Sequence, residues 1–228
     1  MTYDLFIAHP SYSSWSLRGW LLFRKFGLTC RQVPVDIYDG GKDRDLAPVA
    51  PARTVPVLRL PEGTVIAESL AIAETLHERH PEAGLWPTDP AARATARWLV
   101  AEMHAGFTAL RSACPMNIRY ARAGYPVSEA VAADLQRIET LWQMVLGRHG
   151  EGPWLFGDYS VADAFYAPVA MRIAGYSLPA GEAARAYVNA HLADPASLAW
   201  RQMGEDWTEV ADPYADKPGR ILPWPAAI

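Results

Sequence analysis

The hydrophobic period of the chain changes once, at a proline-rich stretch, and that change limits the fold more than any other feature. Pro81, Pro87 and Pro90 fall within residues 81–90. Such a stretch suits a linker, because proline neither continues a helix nor donates to a strand ladder. Before it, short apolar strands alternate with helical segments. After it, the period is helical almost throughout. A chain of this kind folds as an α/β domain followed by an all-α domain, here residues 1–80 and 91–228 joined by 81–90.

In the first part, Leu5-Phe6-Ile7-Ala8 is a continuous apolar run, the pattern of a strand covered on both faces. The polar loop Pro10-Ser11-Tyr12-Ser13-Ser14-Trp15 follows. Leu17, Trp20, Leu21 and Arg24 predict a helix beginning near Ser16, with Gly27 as its stop. Val33, Val35 and Ile37 alternate as a second strand. Pro34 inside it lacks an N–H and so places it at a sheet edge. Residues 43–50 are a short helical candidate. Residues 55–60 and 64–67 flank the turn Pro61-Glu62-Gly63 as a hairpin, and Ser69 opens a helix carrying Ile72, Ala73 and Leu76. The expected order is β-α-β-α-β-β-α.

Beyond the linker, residues 91–113 read as one long helix stopped by Pro115. Val131, Leu135, Ile138, Trp142 and Val145 form a buried helix stripe. Residues 150–159 read as loop. Ser160-Val161-Ala162-Asp163 has the form of a capping box, and Asp194-Pro195 is a sound cap and first-turn pair. The tail from Asp212 holds prolines at 213, 218, 223 and 225 and is expected to wrap the surface.

Composition removes several function classes. Half of the 228 residues are hydrophobic, which excludes a disordered chain. Basic residues number 21 against 25 acidic ones, net −4, so no basic field for nucleic acid is present. The longest near-apolar run, residues 164–171, is far short of the roughly 20 residues of a spanning helix. Cys30 and Cys114 cannot make a disulfide framework or a four-thiolate metal site, and a cytoplasmic protein with free thiols is expected.

The order of elements and four local motifs together resemble the cytosolic glutathione transferases over nearly the whole chain. The motifs are Ser11-Tyr12-Ser13-Ser14-Trp15-Ser16-Leu17-Arg18, the Val55-Pro56 dipeptide, Glu68-Ser69 before the third helix, and Ser160-Val161-Ala162-Asp163. The first loop, and Glu102-Met103-His104 followed by Pro115-Met116-Asn117, are most similar to zeta-like and related bacterial members. The resemblance implies a thioredoxin-like first domain that binds glutathione, a helical domain that holds a small hydrophobic electrophile, a homodimer, and no metal.

The chemistry follows from the residue types. A hydroxyl at the N-terminus of the first helix can donate to a thiolate, and the helix dipole adds favourable potential. Lowering a thiol from near ~8.5 by about two units takes about 2.7 kcal/mol, which one charge-assisted hydrogen bond of roughly 1.5–3 kcal/mol supplies. A match anchored on Leu17 points to Ser11, whereas closeness to the helix start points to Ser13 or Ser14. Ser13 stands where the zeta pattern has a cysteine. By resemblance Val55-Pro56 is cis and offers the Val55 backbone to the cysteinyl unit of glutathione. Ser69, with Glu68, would hold the γ-glutamyl carboxylate at a helix N-terminus, and Arg53 is a candidate for the glycine carboxylate. Tyr12, Trp15, Met103 and His104 are candidates for the electrophile pocket, with core packing as the alternative for the last two.

Other constellations carry less. No thiol stands in Ser13-Ser14-Trp15-Ser16, so disulfide exchange has no nucleophile. His77 and His80 beside Glu74 and Glu78 read as a solvated helix end rather than a metal site. The resulting expectation is a conjugating glutathione transferase. The alternatives are a maleylacetoacetate-type isomerase, a glutathione-dependent peroxidase or dehalogenase, and a transferase-fold scaffold with little activity. The isomerases use an arginine late in the helical domain. Counting from Pro168 puts that place on Gly175, with Arg172 about one turn earlier, which counts against isomerisation.

Overall fold

The strands β1 (Tyr3–Ile7), β2 (Cys30–Pro34), β3 (Val57–Arg59) and β4 (Val65–Ala67) form one sheet in the order β2-β1-β3-β4. The structure is a computed structural model that describes residues 2–149 and 151–226. β2 runs parallel to β1, β3 runs antiparallel to it, and β4 completes a hairpin with β3. Leu5, Ile7 and Leu58 face one core, Phe6, Ala8 and Val57 another, which is why β1 reads as a continuous apolar run. The helices α1 (Ser14–Arg24) and α3 (Ser69–Arg79) belong to the first face, and α2 (Lys42–Leu46) with the turn after it to the second.

β2 is an edge strand, as Pro34 requires, but it stops at Pro34 and does not reach Ile37. Val35 N still donates to Ile7 O at 2.8 Å. Asp36 N then turns to Asp45 Oδ2 at 2.9 Å and leads the chain out of the ladder. Asp4 ties three strands together through Arg31 on β2 and Arg59 on β3, and these cations hold its carboxyl down to about 2.

α1 starts two residues earlier than its apolar spacing indicates. Ser13 has extended backbone and its Oγ accepts from Ser16 N, so Ser13 is the cap and Ser14 the first helical residue.

The helical part comprises α4 (Pro90–Ala105), α5 (Thr108–Ala113), α6 (Glu129–Val145), α7 (Val161–Tyr176), α8 (Glu182–Ala193) and α9 (Pro195–Asp206). The single helix expected over 91–113 is two helices. Gly106 ends α4 where a Cβ would lie 2.7 Å from Glu102 O, and Phe107 then adopts φ 56°. Every residue of α7 is buried, so it is a central helix rather than an amphipathic one. Its capping box is formed: Asp163 accepts from Ser160 N and Oγ, and also from Leu155 N and Tyr187 Oη. α7 packs on α1, α4 and α8, which joins the two parts of the chain.

The tail is more ordered than its prolines suggest. β6 (Arg220–Leu222) pairs antiparallel with β5 (Ala121–Ala123), and buried Arg122 donates to the carbonyls of Tyr214 and Lys217.

Candidate active site

Sheet register gathers the functional motifs at one end. Phe6 pairs with Val57 and Val57 with Ala67, so the chain leaving β1, the residues entering β3 and the start of α3 are neighbours. The serine loop, Val55-Pro56 and Glu68-Ser69 therefore meet. Beside them, between the sheet domain and the helical part, lies a cavity of about 530 Å³.

Its electrostatics are one-sided. Lys42, Arg53, Arg111 and Arg172 line it, and among the described residues no Asp or Glu does, in a chain of net charge −4. Arg172 is buried, and desolvation together with Arg111 pushes its guanidinium down to about 10. Burial likewise lowers Arg111.

The three loop serines are separated by their hydrogen bonds. Ser11 is buried and its hydroxyl faces Gly204 O at 3.5 Å, away from the cavity. Ser13 lines the cavity, but its Oγ donates to Ser16 Oγ at 2.8 Å and accepts from Ser16 N at 3.3 Å, so it is committed to the cap. Ser14 lines the cavity and its Oγ accepts from Arg172 Nη2 at 3.1 Å. Among the described residues no acceptor takes the Ser14 proton.

Trp15 is held by cations: the Arg18 and Arg111 guanidiniums lie 4.2 and 4.8 Å from its ring centre. Arg18 is buried with Nε and Nη1 unpartnered among the described residues, and desolvation pushes its pKa well down. Tyr12 is buried on the cavity wall against Tyr38 and Tyr214.

Of the residues expected at a glutathione site, Arg53 and Val55 line the cavity. The Val55–Pro56 bond is cis, and Pro56 packs on α1 at Gly19, where a Cβ would lie 2.8 Å from Pro56 Cβ. Glu68 has φ 72° and is exposed, and Ser69 is fully buried with its Oγ unpartnered among the described residues. These three do not line the 530 Å³ cavity itself. Nor do Met103 and His104. Met103 is fully buried in the core. His104 sits edge-on to Trp15 with Nε2 3.4 Å from Glu68 Oε2, and burial and Arg18 lower its pKa.

The helical wall comes instead from α5, through Thr108, Arg111 and Ser112. Sequence reading missed these residues because it ran α4 and α5 together. Gly106 was the available signal. Tyr38, Lys42 and Tyr214 had none, since they arrive from a loop, a short helix and the tail. At Gly175 a side chain would meet Trp224 at 3.0 Å, whereas Arg172, about one turn earlier, lines the cavity.

Among the described residues no group of three or more His, Cys, Asp or Glu could hold a metal ion, and no helix is long and apolar enough to cross a membrane. His80 is occupied with Tyr3 Oη at 2.9 Å.

A thioredoxin-like sheet domain and a helical domain that share a basic cavity at the first helix's N-terminus make up the glutathione transferase fold. The sequence pattern of the family described as "Glutathione S-transferase, N-terminal domain" matches residues 12–79. A maleylacetoacetate isomerase from Pseudomonas aeruginosa is 32% identical over 178 residues, covering 72% of this chain and 78% of that protein. A maleylacetoacetate isomerase from Rattus norvegicus is 28% identical over 162 residues, covering 69% and 72%. Among solved structures, a glutathione transferase homologue from Burkholderia with bound glutathione superposes with a TM-score of 0.69 at 23% identity, covering 90% of this chain and 99% of that one. The chain belongs to the glutathione S-transferase family, whose members here are glutathione-dependent transferases and isomerases.

Proposed function

We propose that this protein binds glutathione at the end of its sheet, ionises the thiol beside Ser14, and directs the thiolate at a carboxylate-bearing electrophile. The cavity's charge carries the reading: four cations and no described acid face the space. Glutathione is itself an anion and becomes more so when its thiol ionises, so the cavity favours both binding and ionisation. A purely hydrophobic electrophile would leave Arg111 desolvated with nothing to answer it.

In this reading residues 1–80 bind glutathione. Arg53 meets the glycine carboxylate, Val55 the cysteinyl backbone, and the Ser69 hydroxyl at the N-terminus of α3 the γ-glutamyl carboxylate. Residues 91–228 hold the electrophile. Arg111 is its carboxylate anchor, because among the described residues its hydrogen bonds run only from Nη1, to His104 O and Gly106 O. Of the two serine-loop hydroxyls on the wall, that of Ser14 has the free proton and is the thiolate's donor.

The relatives' names favour isomerisation over lasting conjugation. For a cis 4-oxo-2-enoic acid, the thiolate adds to an alkene carbon, forming an S–C bond while the electron pair moves to the carbonyl oxygen as an enolate. Rotation about the new single bond follows. The enolate then re-forms the double bond as trans and expels the thiolate, so glutathione is regenerated and nothing is oxidised or reduced. The arginines stabilise the enolate and carboxylate charge.

The protein is further read as a cytoplasmic homodimer. Trp98 on α4, 48% exposed, is a contact candidate for a partner copy, and the free cysteines Cys30 and Cys114 fit a reducing compartment. Light scattering on the pure protein tests the dimer.

The decisive experiment titrates glutathione calorimetrically and then follows turnover of a cis 4-oxo-2-enoic acid and of a neutral aryl halide. Binding with preferential turnover of the acid is expected. With Ser14→Ala, the bound thiol's pKa should rise by about one to two units, the worth of one charge-assisted hydrogen bond, while Ser11→Ala leaves it unchanged. No heat at millimolar glutathione would refute the enzyme reading and favour the scaffold.

A further inference from the structure

The buried guanidinium of Arg172 is bound at all three of its nitrogens. Nε donates to Cys114 O at 2.8 Å, Nη1 to Pro168 O at 3.1 Å and Nη2 to Ser14 Oγ at 3.1 Å. None of these partners is a carboxylate, so its charge is not neutralised on the spot. A planar fork held at three points cannot swing toward a ligand without leaving a buried carbonyl unpaired. Its positive charge is therefore delivered through the hydroxyl it touches. A serine hydroxyl has one proton and two lone pairs. One lone pair of Ser14 faces the guanidinium, and no described acceptor takes the proton, which is left for the cavity.

We propose that Arg172 is a positioning residue that orients and polarises the Ser14 hydroxyl, making it a fixed, strengthened donor to the glutathione sulfur. The inference rests on the glutathione reading above and adds the group that makes Ser14 different from an ordinary capping serine. Hydrogen bonds in series polarise one another, most strongly where water is excluded. Arg172 remains protonated at neutral pH, because burial lowers it only to about 10. The two residues are 158 positions apart, so the donor on one domain is set by a helix of the other.

The test is an ultraviolet titration of the thiolate of bound glutathione in the wild type, Arg172→Gln, Arg172→Lys, Ser14→Ala and the two double variants with Ser14→Ala. S-methylglutathione, whose sulfur cannot ionise, provides the binding control. Arg172→Gln should raise the thiol pKa by about one unit, roughly tenfold less thiolate below that pKa, while S-methylglutathione binding weakens by much less, reporting only the lost cavity charge. Arg172→Lys keeps a charge but cannot serve Cys114 O and Ser14 together, so it raises the pKa by less. It also decides the matter if the Gln variant does not fold. Each double variant should match Ser14→Ala alone, because the arginine acts through the serine. Additive shifts, or an Arg172 shift that persists without Ser14, would overturn the relay and leave the glutathione site standing. No binding of S-methylglutathione by the wild type would overturn both.

Discussion

Replacing Arg111 by Gln tests the charge argument where it is most exposed. Arg111 faces the cavity from α5 and has Nη2 and Nε free of described hydrogen bonds, while Nη1 holds His104 O and Gly106 O at the break between α4 and α5. A guanidinium about 4 Å from a carboxylate at an effective dielectric of about 20 gains about 4 kcal/mol of Coulomb attraction. Desolvation offsets part of this, and a net value of about 1.5–3 kcal/mol is what hydrogen bonds to charged groups retain. The expected loss in kcat/KM for a cis 4-oxo-2-enoic acid is thus roughly 10- to 150-fold. A neutral aryl halide should lose less than about threefold. Glutathione affinity and melting temperature, measured alongside, report whether the loss of the two backbone contacts has disturbed the helix break, and Arg111→Lys should recover part of the effect. High salt should shrink the difference between the two substrates. An equal fall for both substrates would show that Arg111 serves only structure. No fall for the acid would refute the anionic electrophile.

Three further outcomes follow from the same structure. Ser69→Ala should weaken glutathione binding about tenfold by calorimetry without lowering stability, because the buried Oγ has no partner among the described residues to lose. Asp163→Ala strands four donors, Leu155 N, Ser160 N, Ser160 Oγ and Tyr187 Oη, and should cost about 3–5 kcal/mol in urea unfolding; a loss under about 1 kcal/mol would mean that the α7 cap is dispensable. His191 is buried beside Trp154 and Tyr187, and desolvation depresses its pKa to about 3. The folded state then binds fewer protons than the unfolded one between about 3 and the ordinary 6.5, so this contribution is full above 6.5 and is lost as pH falls. From pH 7 to pH 5 the loss is about 2 kcal/mol. Comparing wild type with His191→Phe isolates this group from the carboxylates, and identical slopes for the two would refute it.

Much of the fold was legible because burial leaves a periodic mark. The run at Leu5-Phe6-Ile7-Ala8, the edge position forced by Pro34 and the stripe from Val131 to Val145 each express one local rule. The failures share a cause as well. Phe107 takes a left-handed backbone inside an otherwise helical pattern, where Gly106 was the one local mark, and β6 pairs with a strand about a hundred residues earlier, which no window of sequence contains. At the site, the serine loop, Val55-Pro56 and Glu68-Ser69 could be named from their types and order. Which serine points inward could not, since that depends on Gly204 O beyond Ser11 and on Arg172 beyond Ser14.

The amino-acid order by itself determined the two-part architecture, the helix caps and the family, because these rest on local hydrogen bonding and on the spacing of apolar residues. Only the tertiary structure decided the sign of the cavity. Its cations arrive from residues 42, 53, 111 and 172, each unremarkable in its own segment, and their fields add only where folding brings them around one desolvated space.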